Sequence, residues 1–131
     1  MVEEIKVGSI YICILREFQY LDNPIYKIGY TLNNDVNKYI KCRYPKNSKL
    51  IYKWKTNNPQ LCEKLLIKYL DITSYKRKDI GNEYYEVNLD YLYKLINKLI
   101  NQGNYIYELN KIECLHQKYR YKMKLARKYI K

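Results

Sequence analysis

Residues 7 to 30 have the sequence VGSIYICILREFQYLDNPIYKIGY, and this stretch decides the fold. Its first part, Val7 to Leu15, is dense in β-branched and aromatic residues, which is typical of a buried strand. Asp22, Asn23 and Pro24 then favour a turn, because Asp and Asn bond their own backbone and Pro fixes φ. A second strand is predicted from residue 25 to residue 30. The stretch therefore predicts a β-hairpin.

A helix, a strand and a second helix are predicted after the hairpin. Residues 33 to 35, Asn-Asn-Asp, are helix-capping residues, and the helix that they begin is predicted to end at Arg43. Residues 49 to 55, KLIYKWK, alternate apolar and basic side chains, as does a strand with one face on a core and one in water. Pro59 suits the first turn of the next helix, whose apolar side chains recur every three or four residues.

The remaining elements complete an α+β fold. The polar segment from 73 to 82 is predicted to be a mobile surface loop, and residues 84 to 87 form a short extended piece. Asn88 or Asp90 is expected to cap a third helix, which Gly103 ends. Together these elements predict a small, mainly antiparallel, three-stranded sheet with flanking helices.

The C-terminal part of the chain carries most of the charge. From Tyr105 onward there is no Gly or Pro, and apolar residues recur at helical spacing, which predicts an amphipathic helix with a basic back. Residues 111 to 131 hold eight Lys or Arg and one Glu, a charge of +7 out of the net +12, so the other 110 residues carry +5. A domain from 1 to 103 and a basic helical extension from 104 to 131 are therefore predicted.

The composition indicates what kind of genome encodes the protein and where in the cell it is expected. Lys, Tyr, Ile and Asn supply 67 of the 131 residues, and all four are written with A/T-rich codons, as expected of some large DNA viruses and parasites. The abundance of Tyr is therefore weak evidence for function. No apolar run is long enough to span a membrane, and the acidic start is unlike a secretory signal. We expect a soluble intracellular protein, in the host cytoplasm or nucleus if it is viral.

The four cysteines do not predict a metal centre. They lie 29, 20 and 52 residues apart, with no close pair, and the chain has one His, so zinc is not expected. Reduced and mostly buried thiols are the simpler interpretation.

Several short motifs occur in an order that resembles the GIY-YIG endonuclease superfamily, in particular its branch from phages and large DNA viruses. The first strand holds Ser9-Ile10-Tyr11 and the second holds Lys27-Ile28-Gly29. A Tyr44-Pro45 turn, a helix with the acid Glu63, and the piece Glu83-Tyr84-Tyr85 follow. The resemblance covers residues 7 to 88 and lies in the order and spacing of motifs that are individually weak.

The resemblance implies hydrolysis of phosphodiester bonds with one Mg²⁺ or Mn²⁺ ion, on DNA rather than RNA. Carried over by position, Tyr11 takes the first-motif tyrosine, Lys27 the second-motif position, and Glu63 the carboxylate that holds the metal. A hard cation prefers oxygen ligands, and the pentacovalent transition state is stabilised by cations at its equatorial oxygens.

One departure from the family pattern leaves the function open. The family usually has an Arg about eight residues after the motif Gly, where this chain has Asn37. Lys38 is adjacent, Lys41 lies one helical turn further on, and Arg43 is the nearest guanidinium, so these three are the candidate replacements. A fold that binds nucleic acid without cutting it is the alternative prediction.

Basic residues predict where nucleic acid is held. Lys38 lies beside the candidate site, and the tail adds further cations that release counterions from a phosphate backbone. The predicted tail contacts are Lys118, Arg120, Lys122, Lys124, Arg127 and Lys128. The apolar seam of the tail helix leaves a third alternative open, in which it pairs with a partner helix or with a second copy of the chain as a homodimer.

Overall fold

The computed structural model describes residues 6–20, 24–81 and 83–129. The strands are β1 (Val7–Ile14), β2 (Ile25–Thr31), β3 (Lys49–Asn57), β4 (Tyr75–Lys76) and β5 (Tyr84–Glu86). The helices are α1 (Arg16–Tyr20), α2 (Val36–Arg43), α3 (Pro59–Thr73), α4 (Leu89–Gln102) and α5 (Tyr105–Tyr129).

The predicted hairpin is the centre of the sheet. Strands β1 and β2 are antiparallel, with Tyr11 opposite Gly29 and Cys13 opposite Lys27. Because directly opposed residues point to the same face, Tyr11 and Lys27 lie on one face of the sheet, and Ile12 lies on the other. Strand β3 pairs with the free side of β1, and the register shifts between Ile12 and Cys13.

The α+β class is confirmed, and the sheet is larger than the predicted three strands. Its order is β3-β1-β2-β5-β4, and each described pairing is antiparallel. Strand β4 lies in the segment predicted to be a loop, with Tyr75 opposite Glu86 of β5. Strands of two and three residues are too short to show the alternation by which a strand is recognised in a sequence.

Local signals determine the ends of the helices. Asp35 accepts a hydrogen bond from the backbone N–H of Lys38 and caps α2, and Asn88 caps α4 through the N–H of Tyr91. Gly103 ends α4 in the left-handed conformation, at φ 72°. Helix α1 was not predicted, because its five residues are too few for a helical period to show.

The two faces of the sheet bury different cores. The larger core joins Ile10, Ile12 and Ile28 of the sheet to apolar side chains of α3, α4 and the start of α5. The smaller core lies on the other face, where Tyr11 and Cys13 pack against α2. Helix α3, which carries Glu63, is therefore on the opposite side of the sheet from the ring of Tyr11.

Helix α5 begins inside the larger core. Tyr105 and Ile112 are buried, and Glu113 forms an ion pair with Lys68 of α3 at 2.5 Å. The division of the chain at residue 103 stays a prediction. Among the described residues, no helix combines the length and apolar character needed to cross a bilayer.

Candidate active site

Glu63 is a buried acid on the flank of helix α3. Cys62, Leu65 and Leu66 face the core and are fully buried, and Glu63 follows one of them by a single residue, about 100° around the helix. Its side chain is 7% exposed and borders an open groove of about 990 Å³. A carboxyl group in this position needs a partner, because burial penalises its charged form.

Glu83 is that partner. Burial and a hydrogen bond shared with Glu83 raise the pKa of Glu63 to about 8, although Lys27 acts in the opposite direction. Burial also opposes ionisation of Glu83, but its hydrogen bonds with Glu63 and Lys27 hold its pKa below the ordinary value. The two carboxyl groups therefore share one proton near neutral pH, with the proton on Glu63 and the negative charge on Glu83.

Lys27 holds the charged member of this pair. Its Nζ donates to Oε2 of Glu83 at 2.8 Å, and the two side chains are 12% and 31% exposed. The same ammonium lies 5.3 Å from the centroid of the Tyr84 ring, within the range of a cation–π contact. Lys27, Glu83 and Glu63 thus form a continuous chain of charged and proton-sharing groups.

The backbone of Glu83 is held in an uncommon conformation. Its φ is 67°, in the left-handed region that non-glycine residues seldom adopt, and its carbonyl accepts the N–H of Ile28 at 3.1 Å. Such strain costs about 1–3 kcal/mol and persists where the surrounding contacts determine it. Here the contacts to Glu63, Lys27 and Ile28 fix the position of the Glu83 carboxylate.

Tyr11 lies in a second cluster, which we call the tyrosine cluster and define as Tyr11, Tyr39 and Tyr44. The Tyr11 and Tyr44 hydroxyls are 2.6 Å apart, and the centroids of the Tyr11 and Tyr39 rings are 6.0 Å apart, with the rings tilted by 60°. Tyr11 is 1% exposed, and burial together with the Tyr44 hydrogen bond raises its pKa far above the ordinary value. At neutral pH its hydroxyl therefore stays protonated.

Arg43 contacts the tyrosine cluster and acts electrostatically on Tyr84. Its guanidinium lies 5.8 Å from the centroid of the Tyr39 ring and interacts with the Tyr44 hydroxyl. Burial raises the pKa of Tyr84, and the charge of Arg43 partly offsets that rise, so Arg43 is within electrostatic range of Tyr84. Tyr84 therefore has two cations in its surroundings, Lys27 against its ring and Arg43 within electrostatic range.

The other predicted cations lie on exposed surfaces. Lys38 and Lys41 of α2 are exposed, as is Asn37. In the tail, Lys118, Arg120, Lys122 and Lys124 are exposed on α5, and the side chains of Arg127 and Lys128 lie outside the described part of the structure. The groove beside Glu63 and Glu83 has its own cations, Lys6, Lys64 and Lys68.

The family of the protein follows from a comparison with models of known domains. The model of the T5orf172 domain matches residues 8–100, which is 93 of the 131 residues. The chain belongs to the T5orf172 domain family. This family is related to GIY-YIG and homing-endonuclease-like nucleases, so a nuclease or nucleic-acid-binding role is indicated for the T5orf172 domain. Searches of curated proteins and of solved structures gave no significant match.

Two carboxyl groups of this T5orf172 domain, those of Glu63 and Glu83, lie together at the border of the groove. Among the residues that the structure describes, no group of three or more His, Cys, Asp or Glu side chains could hold a metal ion. The acidic pair alone offers two carboxyl groups. Mg²⁺ is commonly bound by one or two carboxylates, with waters and substrate phosphates filling the other positions.

Three residues of the T5orf172 domain have contacts that sequence reasoning did not anticipate: Glu83, Tyr44 and Tyr84. Each belongs to a motif that the sequence shows, yet no chemistry could be attached to it. The contact between Glu63 and Glu83 joins residues 20 positions apart, and it exists only because β5 pairs with β2. The acid in the Glu83-Tyr84-Tyr85 piece was the one available signal, since it precedes a strand that lies beside Lys27.

Proposed function

We propose that this protein is a metal-dependent nuclease that hydrolyses phosphodiester bonds, with DNA as the favoured substrate. The observation that carries the proposal is the acidic pair, in which a buried Glu63 and an ionised Glu83 share a proton at the border of an open groove. A divalent cation can replace that proton, and the family is related to nucleases.

Each residue at the groove has its own role in the proposed hydrolysis. Glu63 and Glu83 would hold the metal, and a bound divalent cation would polarise a phosphate oxygen and lower the pKa of a coordinated water. Lys27 keeps Glu83 ionised and in place through their 2.8 Å contact. Lys6 and Lys64 border the same groove and attract the phosphate backbone.

Tyr11 acts as a positioning residue in this proposal. Its hydroxyl is buried against Tyr44 and keeps its proton, so it does not act as a general base from this position. Through Tyr44 it holds Arg43, the guanidinium that stands in for the Arg missing at Asn37. Arg43 is exposed and within electrostatic range of Tyr84, and it would supply positive charge to a phosphate bound there.

A plasmid-nicking assay tests the proposal. Supercoiled DNA is incubated with the protein and Mg²⁺ or Mn²⁺, and the wild type is expected to convert it to the nicked form. Glu63→Gln should abolish nicking because Gln cannot bind the metal as a carboxylate, whereas Glu108→Gln on α5 makes the same change away from the acidic pair and should retain it. Absence of nicking by the wild type with either metal between pH 6 and pH 9 overturns the proposal.

A second function, nucleic-acid binding without hydrolysis, is favoured by Asn37 and by the buried Tyr11 hydroxyl. In that case the wild type binds DNA without nicking it, and Glu63→Gln binds as well as the wild type. A filter-binding titration run beside the nicking assay separates the two functions.

A further inference from the structure

Three aromatic rings meet at the edge of the sheet away from the acidic pair. Tyr52 and Trp54 of β3 and Tyr93 of α4 form what we call the aromatic platform, with ring centroids 4.8 Å apart for Tyr52 and Tyr93. Trp54 lies 5.8 Å from Tyr52 and 5.6 Å from Tyr93, and the rings are tilted by 43° to 48°. Each ring thus contacts both of the others.

The platform is rigid and open to solvent. The Trp54 indole N–H donates to Oδ1 of Asn97 at 2.7 Å, and the ring packs at the margin of the larger core. Tyr52 and Tyr93 remain 39% and 37% exposed, although they contact each other and Trp54. A ring that served only to cover the core would have its faces covered, so this exposure leaves aromatic surface available for a ligand.

Cations lie beside the platform. Strand alternation places Lys53 and Lys55 on the other face of β3, where they border a cavity with Val36 of α2. Lys49, at the start of β3, is exposed and borders a small cavity together with Tyr52, and β3 contains no acid. On α4, Lys98 follows Asn97 and is also exposed. The nearest acid along α4 from Tyr93 is Asp90, whose charge is paired with Lys94 at 2.9 Å. The patch therefore combines aromatic surface with net positive charge.

We propose that the aromatic platform stacks unpaired bases of a single-stranded stretch of nucleic acid, while Lys49 and Lys98 contact its phosphates. The inference rests on the proposed nucleic-acid substrate and states its form, a substrate with a single-stranded region. Every base has a π face, so stacking on Tyr and Trp needs no particular sequence, and lysines track the backbone. A neutral sugar or an apolar peptide would also stack on such rings, but neither accounts for the lysines.

Position keeps the platform apart from the acidic pair. Strand β3 is at one edge of the sheet, and β1 and β2 separate it from β5, which begins next to Glu83. With strands about 4.8 Å apart, β3 and β5 are roughly 14 Å from each other. Strand order therefore separates the platform from Glu83, and none of the three rings borders the groove beside Glu63.

Trp54, the one Trp of the chain, provides a direct readout. The protein is titrated in EDTA with a short oligothymidine and, separately, with a duplex of the same length, and the indole fluorescence is followed. Stacking on the platform is expected to quench the fluorescence with the single strand and much less with the duplex. Equal quenching by both, or single-strand binding without a change in fluorescence, overturns the proposal.

Matched variants test whether the aromatic rings are responsible for the binding of oligothymidine. Tyr93→Leu and Tyr52→Leu keep apolar bulk and should weaken oligothymidine binding roughly tenfold each, whereas Tyr93→Phe and Tyr52→Phe keep the π face and should bind like the wild type. Tyr107→Leu removes a 62% exposed tyrosine of α5 as the control. If the Leu variants at 52 and 93 bind as the Tyr107→Leu variant does, the rings only cover the core. The binding experiment is done in EDTA and does not depend on hydrolysis. A protein that fails to nick plasmid DNA can therefore still bind the single strand through the platform.

Discussion

The phenol ring of Tyr11 lies directly over Gly29 on the neighbouring strand, so that a β-carbon at position 29 would collide with its hydroxyl and ring. The two residues belong to the two motifs of the hairpin, and the Tyr of one motif requires the Gly of the other for steric reasons. This pairing places the Tyr11 hydroxyl against Tyr44 and thereby sets the position of Arg43.

Gly29→Ala is therefore expected to destabilise the protein by about 1–3 kcal/mol, the usual cost of overpacking a core. Urea unfolding measures the free energy of unfolding of the variant. In a Tyr11→Leu background the same substitution should cost much less, since the colliding hydroxyl and ring are gone. An equal cost in both backgrounds would show that the glycine is needed for another reason.

The acidic pair predicts a loss of stability with rising pH. The pKa of Glu63 is about 8 in the folded protein against 4.5 ordinarily, so the folded state binds the proton more tightly than the unfolded state between these values. The free energy of unfolding should consequently fall as pH rises through this window, by about 1.4 kcal/mol for each unit by which the two pKa values differ. The pKa of Glu83 is lowered in the folded protein, so Glu83 stabilises the fold above its ordinary pKa. That contribution is lost at lower pH, as the pH falls through the pKa of Glu83 in the folded state.

Urea unfolding in EDTA at pH 5 and pH 8 checks this expectation. Glu63→Gln has no proton to lose and can still donate to Glu83, so it should be less pH-dependent and more stable than the wild type at pH 8. Identical pH profiles for the two proteins would mean that Glu63 is not protonated in the fold.

Removing Lys27 should expose the dependence of Glu83 on its counter-charge. Lys27→Met keeps the aliphatic stem but leaves a partly buried carboxylate without its cation, and we expect a loss of about 1–2 kcal/mol. The double variant Lys27→Met/Glu83→Gln should lose less than the sum of the single variants, because the neutral Gln needs no cation. Strict additivity in a double-mutant cycle would contradict a coupled pair.

The tail should supply the salt-dependent part of nucleic-acid binding. Truncation before Lys118 removes seven Lys and Arg residues and no acid, yet keeps Tyr105 and Ile112 in the core. Affinity for DNA should fall, and the slope of log K against log salt should shrink by roughly 0.9 for each phosphate that the shortened chain no longer neutralises. The mass of the truncated chain in solution also tests the predicted homodimer, since a dimer held by this helix would become a monomer.

The parts of the fold that the sequence predicted are those with local causes. The hairpin follows from apolar alternation around the turn residues, and α4 follows from an Asn88 cap and a Gly103 stop, each within a few residues of its effect. Strands β4 and β5 hold only two and three residues, so their pairing depends on the sheet already formed by β2. Their pairing was therefore not visible in the sequence pattern.

The candidate site also has a part that the sequence predicted and a part that it did not. Tyr11 and Lys27 share a face because strand alternation dictates it, and this could be foreseen. The contact between Glu63 and Glu83 joins a helix on one side of the sheet to the end of a short strand, and the left-handed φ of Glu83 has no signature in the residue type. The covering of the Tyr11 hydroxyl by Tyr44 likewise requires α2 to pack on the sheet.

The short strand β5 has a consequence for how the acidic pair assembles. Glu63 and Lys27 lie on long elements at the centre of the molecule, whereas Glu83 precedes a three-residue strand between β2 and the two-residue strand β4. Short pairings of this kind open more readily than the core. The contact between the two carboxyl groups therefore breaks whenever β5 opens locally. Amide hydrogen exchange at Tyr84 and Tyr85 measures how often this opening occurs.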